Sequence, residues 1–321
     1  MFTTIRKAVS LSCLAALAAC GGSSGGGQDM GQLTLRIGDA PVDGATEVVV
    51  VFTGVVLHGP GGTHRIEFTE PRDIDLLAYQ NGATVDLLDD VEVEAGEYDW
   101  MRLEVIAEQN RSDGSYILFQ SGEQYPLYVP SGAQTGLKLN RPFTVAAGGI
   151  TRLVADFDLR KSIIQPPGLS PNYELKPVLR LMDELEVGSI SGAVDLAALA
   201  TAQLGEDAGP EDCSGGIYLF AGADSTPDDA DGDAADAADP VVYQPLAFDG
   251  LEAVVPYEIA FVEAGNYTVA ATCHFDVDAS PEASEYNPGA ASGEPGFETM
   301  AWTANGQVVV EPNAIAEVNL P

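Results

Sequence analysis

The sequence predicts an all-β protein built from two β-sandwich domains in tandem. Short strand-like runs recur about every ten residues, and Gly, Pro, Asn and Asp separate them, a spacing typical of β-sandwiches. The 321 residues are enough for two ordinary domains, and the hydrophobic content of 45% is normal for globular proteins. The pattern Val93–Tyr98 returns with one change at Val262–Tyr267, which indicates that both halves use the same turn into a strand.

In the first half, the alternating segment Leu33–Ile37 predicts a half-buried strand, and the valine-rich run Glu47–Leu57 predicts a buried one. Asp75–Leu88 carries leucines around Asn81-Gly82 and fits either a short helix or a hairpin. The remaining strand candidates of this half are Tyr116–Phe119, Tyr125–Val129, Leu153–Leu159 and Tyr173–Leu181.

A second unit begins near Gly188. Ala193–Leu204 is rich in Ala and Leu and predicts a brief helix. Two long polar segments, Gly222–Pro240 and Asp276–Phe297, predict loops that are either functional or disordered. The strand candidates of this half are Ser189–Val194, Gly216–Ala221, Glu252–Val262, Tyr267–Phe275, Gln307–Val310 and Ile315–Leu320.

The N-terminus predicts export. Arg6 and Lys7 precede a short apolar run, which is typical of a secretory signal and too short for a stable membrane span. The run ends in Leu-Ala-Ala-Cys, which resembles a bacterial lipobox, so residues 1–19 are predicted to be a lipoprotein signal peptide and Cys20 the lipidated residue. Residues 20–30 then form a flexible, glycine-rich tether. Gly21 stands where an aspartate would retain the protein at the inner membrane, so the expected location is the outer membrane. The alternative is an ordinary signal peptide with an incidental cysteine.

The charge is strongly uneven. The net charge is −35, and all 14 Lys and Arg residues lie in the first 180 positions, whereas residues 181–321 hold 27 acidic residues and no basic one. A domain without basic side chains cannot neutralise a nucleic-acid backbone, so nucleic acid is excluded as its partner. The acidity serves either solubility in salty surroundings or the binding of divalent cations.

Two cysteines remain in the folded body, Cys213 and Cys273. In an exported protein such a pair predicts one disulfide. The alternative, a reactive free pair, lacks the Cys-x-x-Cys spacing.

Several short motifs follow one another along the first half of the chain. They are Gly38-Asp39-Ala40-Pro41, Asp73–Leu77 with Asn81-Gly82, Ala95–Tyr98 with Arg102-Leu103, Val129–Gly132, Gly136–Leu139, Asp156–Asp158 with Ser162, and Tyr173–Val178. In this order they resemble a known family of bacterial lipoproteins, domain of unknown function 4382. The resemblance covers residues 31–186 and implies an exported β-rich module without a stated activity.

Residues 187–321 are similar to prealbumin-like, carboxypeptidase-regulatory sandwiches. Ile190–Val194, Ala264–Val269 and Val308–Leu320 carry this likeness. The fold class that follows is a pair of immunoglobulin-like or prealbumin-like sandwiches in tandem.

Tyr98 and Trp100 are the candidates for ligand contact. On a regular strand they share a face with Arg102, opposite the apolar Met101, and this outward aromatic pair could stack on a sugar or a partner. The repeated pattern disagrees, because Tyr267 shares its face with apolar residues, and a bulge would reconcile the two registers. Tyr98 therefore either packs in the core or forms an outward pair with Trp100, and the sequence does not decide on which face Trp100 lies.

Calcium is the one cofactor candidate, and no cofactor is required. Asp229, Asp231, Asp233 and Asp236 resemble the aspartate loops of thrombospondin-type calcium repeats, and closely spaced carboxylates supply the oxygens that calcium needs. A disordered acidic loop explains the same residues.

The chain carries no catalytic signature. Gly-x-Ser-x-Gly occurs only in the tether, and no zinc-protease motif or phosphate loop is present. We therefore expect a lipid-anchored envelope protein that binds a partner without catalysis, the partner being an envelope protein or a glycan. The alternative is a glycan-binding surface protein, calcium-dependent if the aspartates bind the ion, and a hydrolase is a distant third.

Overall fold

The computed structural model describes residues 29–40, 45–80, 82–111, 113–130, 136–164, 172–176, 178–228, 239–246, 248–275, 301–303 and 306–321. Within these residues the fold is all-β and forms two sandwiches in tandem, as the sequence predicts. Strands β1–β14 form the first sandwich, and β15–β21 form the second.

The strands of the first sandwich are β1 (Met30–Ala40), β2 (Ala45–Gly59), β3 (Gly62–Asp75), β4 (Val85–Glu94), β5 (Gly96–Tyr98), β6 (Trp100–Val105), β7 (Tyr116–Phe119), β8 (Gln124–Tyr128), β9 (Leu137–Leu139), β10 (Phe143–Val145), β11 (Ile150–Asp158), β12 (Ile163–Ile164), β13 (Tyr173–Leu175) and β14 (Leu179–Asp183). One sheet has four strands in the order β14-β11-β1-β4, with β1 and β11 parallel. The other follows the order β12-β13-β8-β7-β2-β6-β9, and β3 pairs with β2 as its eighth strand. Strands β5 and β10 form a separate ribbon.

The first core lies between these two sheets. Leucine and isoleucine side chains of β1 and β11 face the valines of β2, and Phe52 meets Phe157 edge to face with ring centroids 6.4 Å apart. Strand β2 is buried on both faces, because Val49 and Val51 are almost as well covered as the core-facing Val50. This burial explains why its sequence is a continuous apolar run.

The strands of the second sandwich are β15 (Val187–Asp195), β16 (Gly216–Ala221), β17 (Val242–Pro245), β18 (Val254–Glu263), β19 (Gly265–Thr272), β20 (Gly306–Val310) and β21 (Ile315–Glu317). A three-stranded sheet, β18-β15-β21, faces a four-stranded sheet, β17-β16-β19-β20. The second core lies between them and includes Ile190, Ile217 and Val269. Cys213 and Cys273 are joined by a disulfide, as predicted.

Helices are short in the described part of the chain. They are α1 (Leu159–Ser162), α2 (Leu196–Leu204) and two 3-10 turns, Leu76–Tyr79 and Pro210–Asp212. Asp195 caps α2 by accepting from the backbone N–H groups of Ala197 and Ala198. No helix here is long and apolar enough to cross a membrane.

Two segments differ from the sequence expectation. Tyr173–Leu181 is not one strand but two, β13 and β14, which lie in different sheets. Pro177 separates them, and proline has no N–H to donate within a ladder. Asp75–Leu88 combines a 3-10 turn with the start of β4, so neither the helix nor the hairpin alternative describes it fully.

Candidate binding surface around Trp100

Strand β6 places Trp100 on the outer face of the eight-stranded sheet. Met101 and Leu103 are fully buried in the first core, so the alternating residues Trp100 and Arg102 point outward. Trp100 remains partly exposed. The structure thus places Trp100 on the outer face of the sheet together with Arg102.

Tyr98 is a core residue of the first sandwich. It is 1% exposed, its ring stacks on Phe143 at 5.0 Å, and its hydroxyl donates to the Glu94 carbonyl at 2.7 Å. The strand is interrupted at Asp99, whose N–H donates to the His58 carbonyl, so the inward side changes from Tyr98 to Met101. This interruption is the change of register that the repeated pattern required. Tyr98 offers no surface to a ligand, and Trp100 is the aromatic candidate that remains.

His58 reaches the same outer face because β2 contains a bulge. The residues of β2 that face the core change from Val50 and Phe52 to Val55 and Leu57, and the pairing with β3 and β6 shifts between Phe52 and Gly54. Glycine is required at this point, since a Cβ on Gly54 would lie 2.6 Å from the Ile66 carbonyl oxygen. Without the bulge, His58 would point into the core.

Trp100 is held between two side chains of neighbouring strands. His58 lies directly opposite on β2, and the two rings stack with centroids 5.1 Å apart and planes at 16°. Lys138 comes from β9 on the other side of β6, with Nζ 4.6 Å from the indole centroid. The Arg102 guanidinium carbon lies at 5.8 Å. The indole therefore has a histidine on one side and cations on the other.

The outer face formed by His58, Arg65, Trp100, Arg102 and Lys138 is here called the Trp100 surface. Carboxylates neutralise part of it: Arg65 binds Glu104 at 2.7 Å, and His58 binds Asp99 at 3.1 Å. The carboxylate of Glu104 holds the pKa of Arg65 above its ordinary value. Lys138 is exposed and makes no ion pair with the part of the chain that the structure describes.

Chemically, this surface can contact a partner. It offers an indole edge, an ammonium group and guanidinium donors, which suit an acidic or hydroxyl-rich group. No group of three His, Cys, Asp or Glu side chains that could hold a metal occurs among the described residues.

The other predicted site residues lie elsewhere. Cys20 and the four aspartates Asp229, Asp231, Asp233 and Asp236 are outside the described residues, so the lipidation and calcium hypotheses stay predictions. The disulfide cysteines are in the second sandwich, far along the chain from Trp100.

Sequence reasoning missed His58 and Lys138 as neighbours of Trp100. Gly54 inside a valine-rich run was the available sign of a bulge, and it would have turned His58 outward. Nothing comparable points to Lys138, because its position depends on the pairing of β9 with β6.

Comparisons with known proteins concern mainly the first sandwich. Residues 30–177 match a family described as Domain of unknown function (DUF4382), in agreement with the resemblance seen in the sequence. No curated protein matches the chain significantly.

Three solved structures are similar at low TM-scores. A leucine-rich repeat protein from Bacteroides thetaiotaomicron is 14% identical with a TM-score of 0.23; the match covers 91% of this chain and 26% of that one, so this chain spans about a quarter of its length. A protein assigned to cell adhesion, from Bacteroides eggerthii, is 9% identical with a TM-score of 0.22, and the match covers 90% of this chain and 86% of that one. A mutant of the major pilin of Streptococcus pyogenes is 9% identical with a TM-score of 0.17, and the match covers 90% of this chain and 97% of that one. At such scores nothing about function follows for this chain.

Proposed function

We propose that this chain, whose residues 30–177 match a domain of unknown function, is a non-catalytic binding module of the bacterial cell envelope. Acyl chains on Cys20 anchor it at the outer membrane, and the Trp100 surface contacts an acidic group of an envelope protein. The observation that supports this most is the position of Trp100 between His58 and Lys138 on an open sheet face.

The charge distribution supports an acidic contact group. Most of this molecule repels anions, since its net charge is −35, but Arg65, Arg102 and Lys138 bring three of its 14 basic residues together on one face. Arg65 pairs with Glu67 and Glu104, and Arg102 also lies beside Glu104, so Lys138 is the cation of this face without an ion pair among the described residues. Its ammonium group attracts an acidic partner, while salt screens the repulsion from more distant carboxylates. The indole adds apolar contact area at the same place.

Site-specific crosslinking in cells tests the contact. Thr63 is exposed and pairs with His58, so a photoreactive benzoyl-phenylalanine at Thr63 lies beside the Trp100 surface. We expect a crosslinked adduct with an envelope component that disappears in a Trp100→Ala, Lys138→Glu variant. The same photoreactive residue at Val309, an exposed position of the second sandwich, is the control. An adduct that persists in the variant, or that forms equally from Val309, would refute this contact.

The anchor has its own test. A Cys20→Ser variant lacks the residue that carries the acyl chains. Because stable attachment needs several acyl chains, the variant should be released from the membrane fraction into the soluble envelope fraction. A variant that still sediments with membranes would overturn the lipid anchor without touching the binding proposal.

Glycan binding is the second candidate. Trp100 is partly exposed beside polar groups, the environment that favours contact with a sugar, although His58 and Lys138 cover its faces and leave the indole edge. A glycan array with residues 28–321, run in calcium and then in chelator, tests it. Binding lost with Trp100→Ala supports this candidate, and loss in chelator adds the calcium requirement of the Asp229–Asp236 segment. No binding to any glycan, in calcium or in chelator, would contradict glycan binding.

A further inference from the structure

A cavity of about 310 Å³ lies between the two sandwiches. Its size is at the lower end of the range for ligand cavities, about 300–1,000 Å³. Aliphatic side chains of β14, β16 and β18 and of the start of β17 form most of its wall, and Arg141, Arg180, Glu263 and Tyr267 add polar groups. This cavity is separate from the Trp100 surface.

The cavity runs along the edge of a strand. Four consecutive residues of β14, Leu179–Met182, line it. Successive side chains of a strand point to opposite faces of the sheet, so four in a row can border one space only if that space lies beside the strand edge. β14 is an edge strand, since it pairs with β11 alone. Val241 and Val242 are also consecutive, and they lead into β17, the edge strand of the facing sheet.

The register shows which backbone groups of β14 are available there. Asp158 N–H donates to the Val178 carbonyl and Glu184 N–H to the Arg152 carbonyl, so residues 178, 180, 182 and 184 direct their backbone groups toward β11. The alternate residues Leu179 and Leu181 therefore direct their N–H and C=O groups away from β11, toward the cavity side. These groups have no partner among the residues that the structure describes.

We propose that this cavity accepts an extended peptide of a partner protein, which adds to β14 as a further strand and places one aliphatic side chain in the cavity. The backbone of Leu179 and Leu181 pairs with the peptide backbone, and the apolar wall receives a valine-sized or leucine-sized side chain. Free strand-edge groups next to an apolar cavity favour a peptide over an amphiphile, because an alkyl chain would leave those groups without partners.

Charge at the rim favours an uncharged peptide. Arg141 lies 3.7 Å from Glu186 and also pairs with Glu263, and Arg180 pairs with Asp156. Because both lining arginines already have carboxylate partners, the rim carries no excess positive charge that would require an acidic peptide.

The test uses the full chain and a fluorescent, N-acetylated and C-amidated seven-residue peptide of alternating threonine and valine. Fluorescence anisotropy should show saturable binding. A second peptide that is N-methylated at every residue keeps every side chain but loses all its N–H groups, and it should bind at least tenfold more weakly. Equal binding of the two peptides, or no binding of the first, would overturn the proposal.

Four variants locate the site. Val241→Trp fills the cavity from an exposed position and should reduce binding at least tenfold, whereas Val309→Trp, also at an exposed position on another edge strand, should not. Leu179→Pro removes one outward N–H without breaking the ladder to β11 and should also weaken binding. Trp100→Ala should leave peptide binding unchanged. The peptide proposal and the Trp100 contact can therefore fail independently of each other. Unchanged binding in Val241→Trp would contradict the assignment to this cavity.

Discussion

At the scale of single residues, the two halves share one tyrosine arrangement. In the first sandwich β4 ends at Glu94, β5 begins at Gly96, and Tyr98 donates back to the Glu94 carbonyl. In the second, β18 ends at Glu263, β19 begins at Gly265, and Tyr267 donates to the Glu263 carbonyl at 2.9 Å. Each tyrosine thus ties the start of one strand to the end of the preceding one, a role known from other sandwiches. The repeated six-residue pattern in the sequence encodes this corner.

Removing either hydroxyl should destabilise its own sandwich. Tyr98→Phe and Tyr267→Phe each lose a hydrogen bond worth about 0.5–1.5 kcal/mol and leave a carbonyl without its partner. Tyr98→Phe should cost at least as much, because Tyr98 is 1% exposed and Tyr267 is 9% exposed. Urea unfolding measures both, with Tyr79→Phe as the control, since the Tyr79 hydroxyl makes no hydrogen bond within the described residues. Equal stability of all three variants would contradict the corner role.

Tyr116 should make the first sandwich sensitive to alkali. Desolvation, together with its hydrogen bond to Glu47 at 2.8 Å, raises the pKa of Tyr116 to about 12. An unfolded tyrosine titrates near pH 10, so above that value the unfolded chain loses a proton that the folded chain keeps. The stabilisation is therefore complete below about pH 10 and falls as the pH rises toward 12.

Phenolate absorbance and thermal unfolding between pH 9 and 12 check this expectation. The Tyr116→Phe variant should lose the late-titrating phenol and should show a shallower decline of melting temperature in alkali. An unchanged titration curve in the variant would show that another tyrosine is responsible.

At the scale of elements, the second sandwich depends on a crosslink as well as on its core. The disulfide joins Cys213, just before β16, to Cys273, just after β19, and these two strands are paired along their length. Gln203 at the end of α2 accepts from the Cys273 N–H at 2.8 Å, so the helix is held to the same point. The crosslink therefore secures the end of the sheet at which α2 packs.

Loss of the disulfide should weaken the second sandwich selectively. Closing a separation of 60 residues stabilises by about 4 kcal/mol on the chain-entropy view, so a Cys213→Ser, Cys273→Ser variant should lose a similar amount. The two tryptophans report separately, Trp100 on the first sandwich and Trp302, packed 4.9 Å from Tyr218, on the second. Single-tryptophan versions should show an earlier transition for Trp302 and an unshifted one for Trp100. A parallel shift of both signals would mean that the sandwiches unfold as one unit.

At the scale of the whole molecule, charge asymmetry shapes the contact between the sandwiches. The second sandwich has no basic residue, so the cations of this contact come from the first. Arg141 reaches Glu263 at 2.5 Å, and Arg36 binds Glu184 in the turn between β14 and β15 at 2.8 Å. Apolar contact accompanies these pairs, since Phe261 lies over Gly38. The division of charge along the chain thus supplies complementary faces.

Neutralising Arg141 should loosen this contact modestly. Arg141→Gln removes two partly exposed ion pairs, each worth about 0–1 kcal/mol. Cleavage by a glutamate-specific protease at Glu184–Glu186 should become severalfold faster, and high salt should accelerate the unmodified chain more than the variant. Arg111→Gln is the matched control, because Arg111 pairs with Glu108 and Asp113 within the first sandwich. Equal cleavage rates for the two variants would contradict a role for Arg141 in the contact.

The sequence by itself determined the all-β class, the tandem arrangement, most strands, the helix before Gly205, the disulfide and the repeated tyrosine corner. These features depend on local signals in the sequence, namely the alternation of apolar and polar residues, glycine at turns and the number of cysteines. Only the tertiary structure decided that Tyr98 is buried while Trp100 is flanked by His58 and Lys138, and that a cavity borders β14. The physical reason is that these neighbours come from strands distant in sequence, so their contacts follow from pairing registers. A single bulge, as at Gly54, exchanges the two faces of a strand.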